Sequence, residues 1–245
     1  MTGKTAKGTK SKKTYKKKKI YKKKKTNSSV NVFRDREVRT LRYSNSDNFV
    51  TALNRYKTGI REYFRLNDIN RPLFAQAVDD ALPTNFGVFD QFFDKFKVHE
   101  AYIKLDVSPN ITGKNVEIVI QYLNSANDKD ITGLELNDLV GTRHLLHYNL
   151  PTDKKFTFKK KIRVCDIEGI KPTQFDADLS NYTGQLTTSA SLAGTVDYRP
   201  KNPCDLVICL INNSDNTIVE IPFTLTIDYK TEFFGREKNI FAKSG

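Results

Sequence analysis

The chain has 245 residues and a formal charge of +13, from 41 Lys and Arg against 28 Asp and Glu. At 38% hydrophobic and 11% aromatic it is too apolar to be disordered throughout, and its longest apolar run, at 206–211, falls far short of the roughly 20 residues that span a bilayer. A positive N-terminus with no apolar stretch behind it and no arginine in it argues against a secretory signal and a mitochondrial presequence.

Residues 1–25 contain thirteen lysines (Lys4, Lys7, Lys10, Lys12, Lys13, Lys16, Lys17, Lys18, Lys19, Lys22, Lys23, Lys24 and Lys25) and no acid. The remaining 28 basic residues face all 28 acids, so the rest of the chain is neutral. So many like charges, with only Tyr15, Ile20 and Tyr21 as large side chains, predict a disordered arm over residues 1–29. Residues 30–245 are then one domain, of ordinary size for an all-β sandwich or barrel. A polycation on a neutral body points to a polyanionic partner, nucleic acid before membrane, and no membrane insertion is expected. Lysine neutralises phosphate without reading bases, and Tyr15 and Tyr21 are placed to stack on bases. The clusters Lys16 to Lys19 and Lys22 to Lys25 also fit a nuclear-localisation signal. Arg34, Arg36, Arg39 and Arg42 open a second basic zone, 34–71, which carries eight of the twelve arginines and a net charge of +4. Its arginines are expected to extend the positive surface.

Beyond that zone the elements follow in order. Residues 47–56 fit either a helix or a strand. Pro72 at a first helical position and the stripe of Leu73, Phe74, Ala77, Val78, Ala81 and Leu82 predict a helix over 73–82, stopped by Pro83. Phe89, Phe92, Phe93 and Phe96 are spaced for a short helix near 89–95 that packs into a core. It feeds a strand over 97–107, and the change of apolar phase between Val98 and Ala101 calls for a bulge or another structure at one end. Alternation predicts strands over 115–123 and 156–164, although Lys160 breaks the apolar face of the second. The continuous apolar run 206–211 reads as a strand buried on both faces. Residues 220–229 alternate strictly, a strand with one buried face and Pro222 near its start or at a sheet edge. The turn cluster 212–216 between these two predicts a hairpin. Long polar stretches at 124–138 and 176–204 exceed a minimal meander and suit a two-sheet jelly roll.

The catalytic inventory is thin. His144 and His147 are three apart, but no third and fourth metal ligand accompanies them. His99 and Glu100 are adjacent in a predicted strand and face opposite ways, which argues against a dyad. Asp79-Asp80, Asp128 with Asp130, and Asp176 with Asp178 have the oxygens for a calcium ion, yet read better as solvated loop carboxylates. No phosphate-loop, dinucleotide or nucleophile-elbow motif occurs. No cofactor, metal or enzymatic activity is expected. Cys165, Cys204 and Cys209 are too few for a disulfide framework, and Cys209, inside an apolar run, reads as a buried reduced thiol. The glycosylation sequons at Asn27, Asn110, Asn181 and Asn212 read as chance matches in an Asn-rich chain.

Several stretches resemble the capsid proteins of circoviruses and related small circular single-stranded-DNA viruses. Phe89-Asp90-Gln91-Phe92-Phe93-Asp94-Lys95-Phe96-Lys97-Val98, followed by 101–107, is similar to the aromatic turn leading to strand D of those proteins. Residues 206–211 and 218–233 resemble their last two strands, H and I, and Phe64-Arg65-Leu66-Asn67-Asp68-Ile69 resembles the segment before their C–D connection. The arm departs from the pattern in being almost pure lysine where many circoviruses use arginine, and tryptophan is absent. The resemblance implies an eight-stranded single jelly roll with short helices in its connections, sixty copies of which form a T=1 icosahedral shell around single-stranded DNA. It further implies a virion protein that passes through the host cytoplasm and nucleus during assembly, with a nuclear import receptor and a host surface receptor as further partners. The alternatives are a monomeric nucleic-acid-binding β-barrel with a basic tail, or the coat protein of a small RNA or satellite virus.

Overall fold

A computed structural model describes residues 36–59, 62–73, 82–124, 144–186 and 198–235. The arm over 1–29, the predicted helix over 73–82 (apart from its end residues Leu73 and Leu82) and most of the 124–138 stretch lie outside them. Among the described residues, nine strands and three short helices follow in chain order: β1 (Arg36–Val50), β2 (Glu62–Arg65), α1 (Phe86–Asp90), β3 (Lys95–Val107), β4 (Val116–Asn124), β5 (Leu145–Asn149), β6 (Phe156–Arg163), α2 (Val164–Glu168), α3 (Pro172–Ala177), β7 (Thr183–Gln185), β8 (Cys204–Asn212) and β9 (Glu220–Phe234).

The strands form two antiparallel sheets. One runs β1-β9-β3-β6, with β7 paired to the start of β3, and the other runs β2-β8-β4-β5. Setting aside the three-residue β7 and lettering the other eight strands B to I in chain order gives B-I-D-G and C-H-E-F. That is the strand order of a jelly roll. The expected all-β, eight-stranded sandwich is therefore the fold, with β7 as an addition. The aromatic stretch 89–98 does lead into strand D, 206–211 lies in strand H, and 218–233 lies in strand I from Glu220 onward.

Period-two patterning makes most of these strands. Along β9, Ile221, Phe223, Leu225, Ile227 and Tyr229 turn into the core, and Thr231 and Phe233 carry the same phase to the end of the strand. Pro222 is its third residue, where a missing N–H does least harm. Every residue of β8 is buried. Cys204, Leu206, Ile208 and Leu210 join the core between the sheets, while Val207, Cys209 and Ile211 meet Val119 and Leu123 in a second cluster on the sheet's other face. All three cysteines are buried, and none forms a disulfide among the described residues.

The structure corrects two expectations and resolves a third that was open. The strands β8 and β9 are not a hairpin: β8 lies between β2 and β4, β9 between β1 and β3, and the 213–219 turn carries the chain from one sheet to the other. A turn cluster fixes a reversal but not which neighbour each strand pairs with. The helix expected at 89–95 sits earlier, at Phe86–Asp90, because the chain turns at 91–92 and Lys95 already pairs with Phe234 and Gln185. Its aromatic residues still enter the core, with Phe89 stacked on Phe233 at 4.4 Å between ring centres. Third, the ambiguous stretch 47–56 splits. Through Val50 it is the end of β1, where Phe49 stacks on Phe223 at 3.8 Å, and beyond it Leu53 and Tyr56 are exposed.

The phase change in β3 is a β-bulge at His99, where the pairing with β9 shifts between Val98 and Glu100. Phe96 and Val98 before it, and Ala101, Ile103, Leu105 and Val107 after it, all reach the core. Where β7 crosses the start of β3, Gly184 pairs with Phe96, and a Cβ there would overlap the fully buried Phe96 ring. Gly184→Ala is expected to destabilise the fold by roughly 1–3 kcal/mol, read from the urea midpoint. An unchanged midpoint would show that the ring has room to move.

Near the start of β8 lies a set of buried charges. Arg65 pairs with Asp205 at 3.1 Å, and both are under 10% exposed. Asp68 is fully enclosed, and its Oδ1 accepts the Asn70 N–H at 3.1 Å. Burial pushes the Asp68 carboxyl up to about 6, against the pull of Arg65. A folded-state value above the unfolded one favours folding fully below pH about 4, and that contribution is lost as pH rises through about 6. The wild type is therefore expected to lose stability relative to Asp68→Asn between pH 4 and 7, by on the order of 2–3 kcal/mol. Thermal melts of the two proteins across that range check it, and a constant gap would contradict it.

Candidate nucleic-acid interface

The arm lysines, Tyr15, Tyr21 and Arg34 lie outside the described residues. Of the expected nucleic-acid contacts, Arg36, Arg39 and Arg42 are described, and all three are exposed on β1. They do not form one row. Leu41, Tyr43 and Phe49 turn inward from β1, so Arg36 and Arg42 share the outward phase while Arg39 has the inward one, at the end of the strand before the core begins. Each arginine already holds an acid. Arg42 donates twice to Asp228, at 2.7 and 2.9 Å, which raises its own pKa; Arg36 reaches Glu232 at 3.4 Å and lies over the Phe234 ring; Arg39 pairs with Glu37.

The expectation that the arginines of 34–71 all extend a positive surface fails at Arg65. Although its phase in β2 is opposite to that of the core residue Phe64, Arg65 is buried and paired with Asp205. Arg55 is exposed, but it is spent on the 213–219 turn, where its Nε donates to the Asn213 carbonyl at 2.6 Å.

A broader positive surface joins Arg42 to side chains that sequence reading did not single out. The open face of the β1-β9-β3-β6 sheet carries Arg42 from β1, Lys230 from β9, Tyr102 and Lys104 from β3, and Lys159 and Lys161 from β6. Acids lie among them: Glu100 takes Lys161 at 2.9 Å and Lys230 at 3.5 Å, and Asp106 takes Lys104 at 2.7 Å and Lys155 at 3.1 Å. Lys104, with Thr157 and Lys155, holds Asp106 down to about 2, and Lys161 draws Glu100 below its ordinary value.

The two signs stand at different heights. The side chains of Arg36, Arg42, Lys104, Lys161 and Lys230 are 42–64% exposed, whereas their partners Glu232, Asp228, Asp106 and Glu100 are only 13–19% exposed. Long basic stems reach over short acidic ones, so a nearly balanced face shows cations to the solvent. The opposite sheet is different, with the apolar cluster around Val119 and Val207 buried on its outer side.

The remaining candidates resolve as structural. His99 turns its ring to Glu232 at 3.1 Å and Asp176 at 3.5 Å, not to Glu100. His147 is on strand β5 beside Glu117, and His144 stands at the strand's start with a left-handed φ of 56°, so the two do not share a helical face. Asp178, despite some burial, is drawn down to about 2 by hydrogen bonds from Asn181 and Ser180. Asp79, Asp80, Asp128 and Asp130 lie outside the described residues. Among the described residues no three His, Cys, Asp or Glu converge as metal ligands, and no helix is long and apolar enough to cross a membrane. Lys97, which reads as a strand lysine, is fully buried, and its ammonium donates to the carbonyls of Phe175 and Asp178 at the end of α3. No sequence pattern marks that role.

The chain matches no family model and no curated protein sequence. Solved structures similar to it include Cocksfoot mottle virus (13% identity, TM-score 0.46, over 81% of this chain and 94% of that one). A semi-empty VLP of the giant freshwater prawn Macrobrachium rosenbergii nodavirus follows at 11% identity and a TM-score of 0.44, over 82% and 95% of the two chains. The decameric BFDV capsid protein has 9% identity and a TM-score of 0.42, over 80% and 99%. Likenesses at these values carry no functional weight.

Proposed function

We propose that this chain is the coat protein of a small virus, whose sandwich assembles into a closed icosahedral shell and whose lysine arm packages single-stranded DNA. The observation that carries this reading is the division of charge: thirteen lysines without an acid in residues 1–25, joined to a neutral body folded as a jelly roll. Lysine is a flexible point charge that neutralises phosphates whatever the base. Sixty copies would bring roughly 780 such charges to one genome, enough to offset much of a kilonucleotide or two. Shell contacts can each be modest, because closed symmetry multiplies them. Lys16 to Lys19 and Lys22 to Lys25 serve nuclear import before packaging, which places the protein in the host cytoplasm and nucleus and then in the virion. A host surface receptor is the remaining partner. Nothing in this role calls for catalysis.

Nuclease typing of material purified with the full chain tests the cargo. Nucleic acid that resists nuclease in the intact assembly and yields to DNase, but not RNase, after opening is the expected result. RNA inside the assembly would transfer the reading to a small RNA or satellite virus coat. Nucleic acid that is fully digestible from the start would leave a tailed binding protein instead.

A further inference from the structure

The register of the open sheet sets its side chains in ranks across four strands. Arg42 on β1 pairs with Asp228 on β9, Asp228 with Tyr102 on β3, and Tyr102 with Lys161 on β6. One rank along, Thr40, Lys230, Glu100 and Arg163 align in the same way, and on the other side Ser44, Thr226, Lys104 and Lys159 do so. Residues two apart on a strand are about 6.6 Å apart, so Lys159, Lys161 and Arg163 form an evenly spaced cationic row down the edge strand β6. Arg163 is engaged by Asp166 and Lys161 by Glu100, while Lys159 has no ion-pair partner among the described residues. Tyr102 stands inside this field. It is a large aromatic, 41% exposed in the middle of a sheet, beside a shallow depression of about 250 Å³ bordered by Thr40, Glu100, Lys161, Asp228 and Lys230.

At 41% exposed, the Tyr102 ring leaves part of its apolar surface open to the solvent. Flanked by cations at sheet spacing, it matches the stacking platform of single-strand binders, where bases lie on aromatic faces and phosphates on a surrounding basic groove. A sulfated polysaccharide would use the cations but leave the ring idle, and a duplex would keep its bases from it.

We infer that the open face of the β1-β9-β3-β6 sheet is a second single-stranded nucleic-acid site, with a base stacked on Tyr102 and phosphates along Lys159, Lys161 and Lys230. This rests on the proposed packaging role and adds to it a fixed binding surface besides the arm.

The test uses the full chain and an oligodeoxythymidylate carrying a photoreactive thymine analogue, with cross-linked peptides read by mass spectrometry. A cross-link at Tyr102 is expected. In parallel titrations Tyr102→Ala should weaken binding roughly tenfold while Tyr102→Phe retains it. Lys159→Ala with Lys161→Ala should lower the salt slope by about 1.4. Heparin affinity should fall with the lysine substitutions and ignore Tyr102→Ala. Cross-links confined to residues 1–29, with Tyr102→Ala binding as the wild type does, would overturn the sheet site and leave the arm's role standing. No cross-link anywhere and no binding would remove both. Equal sensitivity of heparin and oligonucleotide to the lysines alone would reassign the face to a generic polyanion.

Discussion

Deleting residues 1–29 is expected to abolish packaged nucleic acid while leaving the sandwich folded. The buried apolar residues described in the structure run from Leu41 to Phe234, all beyond the deleted stretch. All thirteen arm lysines go with it, which removes the whole excess charge of the chain. Counterion release puts an upper bound of about 9 on the loss in salt dependence on single strands, since each neutralised phosphate contributes about 0.7. A real arm touches fewer phosphates at once, so a measured fall of several units is the expected result. Circular dichroism and the thermal midpoint should match those of the full chain, while the ratio of absorbance at 260 to 280 nm in purified material falls to that of bare protein. If the truncated chain encapsidates nucleic acid as well as the full one, the arm is not the packaging element.

The largest effect on the fold itself is expected from Asp205→Ala. Arg65 and Asp205 face each other across β2 and β8 at 3.1 Å, with side chains 8% and 4% exposed. The Tyr229 hydroxyl donates to the Arg65 carbonyl at 2.7 Å, tying the same residue to the other sheet. Removing the carboxylate strands a guanidinium in the interior, which costs about 3–5 kcal/mol. Asp68 lies close enough to share some of that charge, which favours the lower end. Replacing both partners, Arg65→Met with Asp205→Leu, removes the desolvation problem with the pair and should restore most of the loss. Urea unfolding of the single and double variants forms the cycle. A single variant within 1 kcal/mol of wild type would mean that water reaches Arg65.

Much of this architecture is legible in the residues, and the gaps have physical causes. The strands β4, β6, β8 and β9 follow from alternation or from an unbroken apolar run, and the phase slip between Val98 and Ala101 marks the His99 bulge. The strand β1 hides because its outward phase is so polar that only Leu41, Tyr43 and Phe49 signal a buried face. Pairing across the sandwich is hidden too, since β8 and β9 are adjacent in sequence yet belong to different sheets. The same limit applies to charge. Arg65 and Lys97 count as surface cations in any tally and are both enclosed. The open sheet hides its cations in a neutral total, because acid and base differ in height above the sheet, not in number along the chain. The arm is the opposite case: with no acids and few apolar residues to offset them, thirteen lysines can be read directly.

In the proposed role the sandwich makes the shell and the charge fills it. Electron microscopy of the purified full chain, at low and high salt, tests it most directly. Closed particles of uniform diameter, with density inside them, are the predicted result. A monodisperse monomer under every salt condition would contradict it.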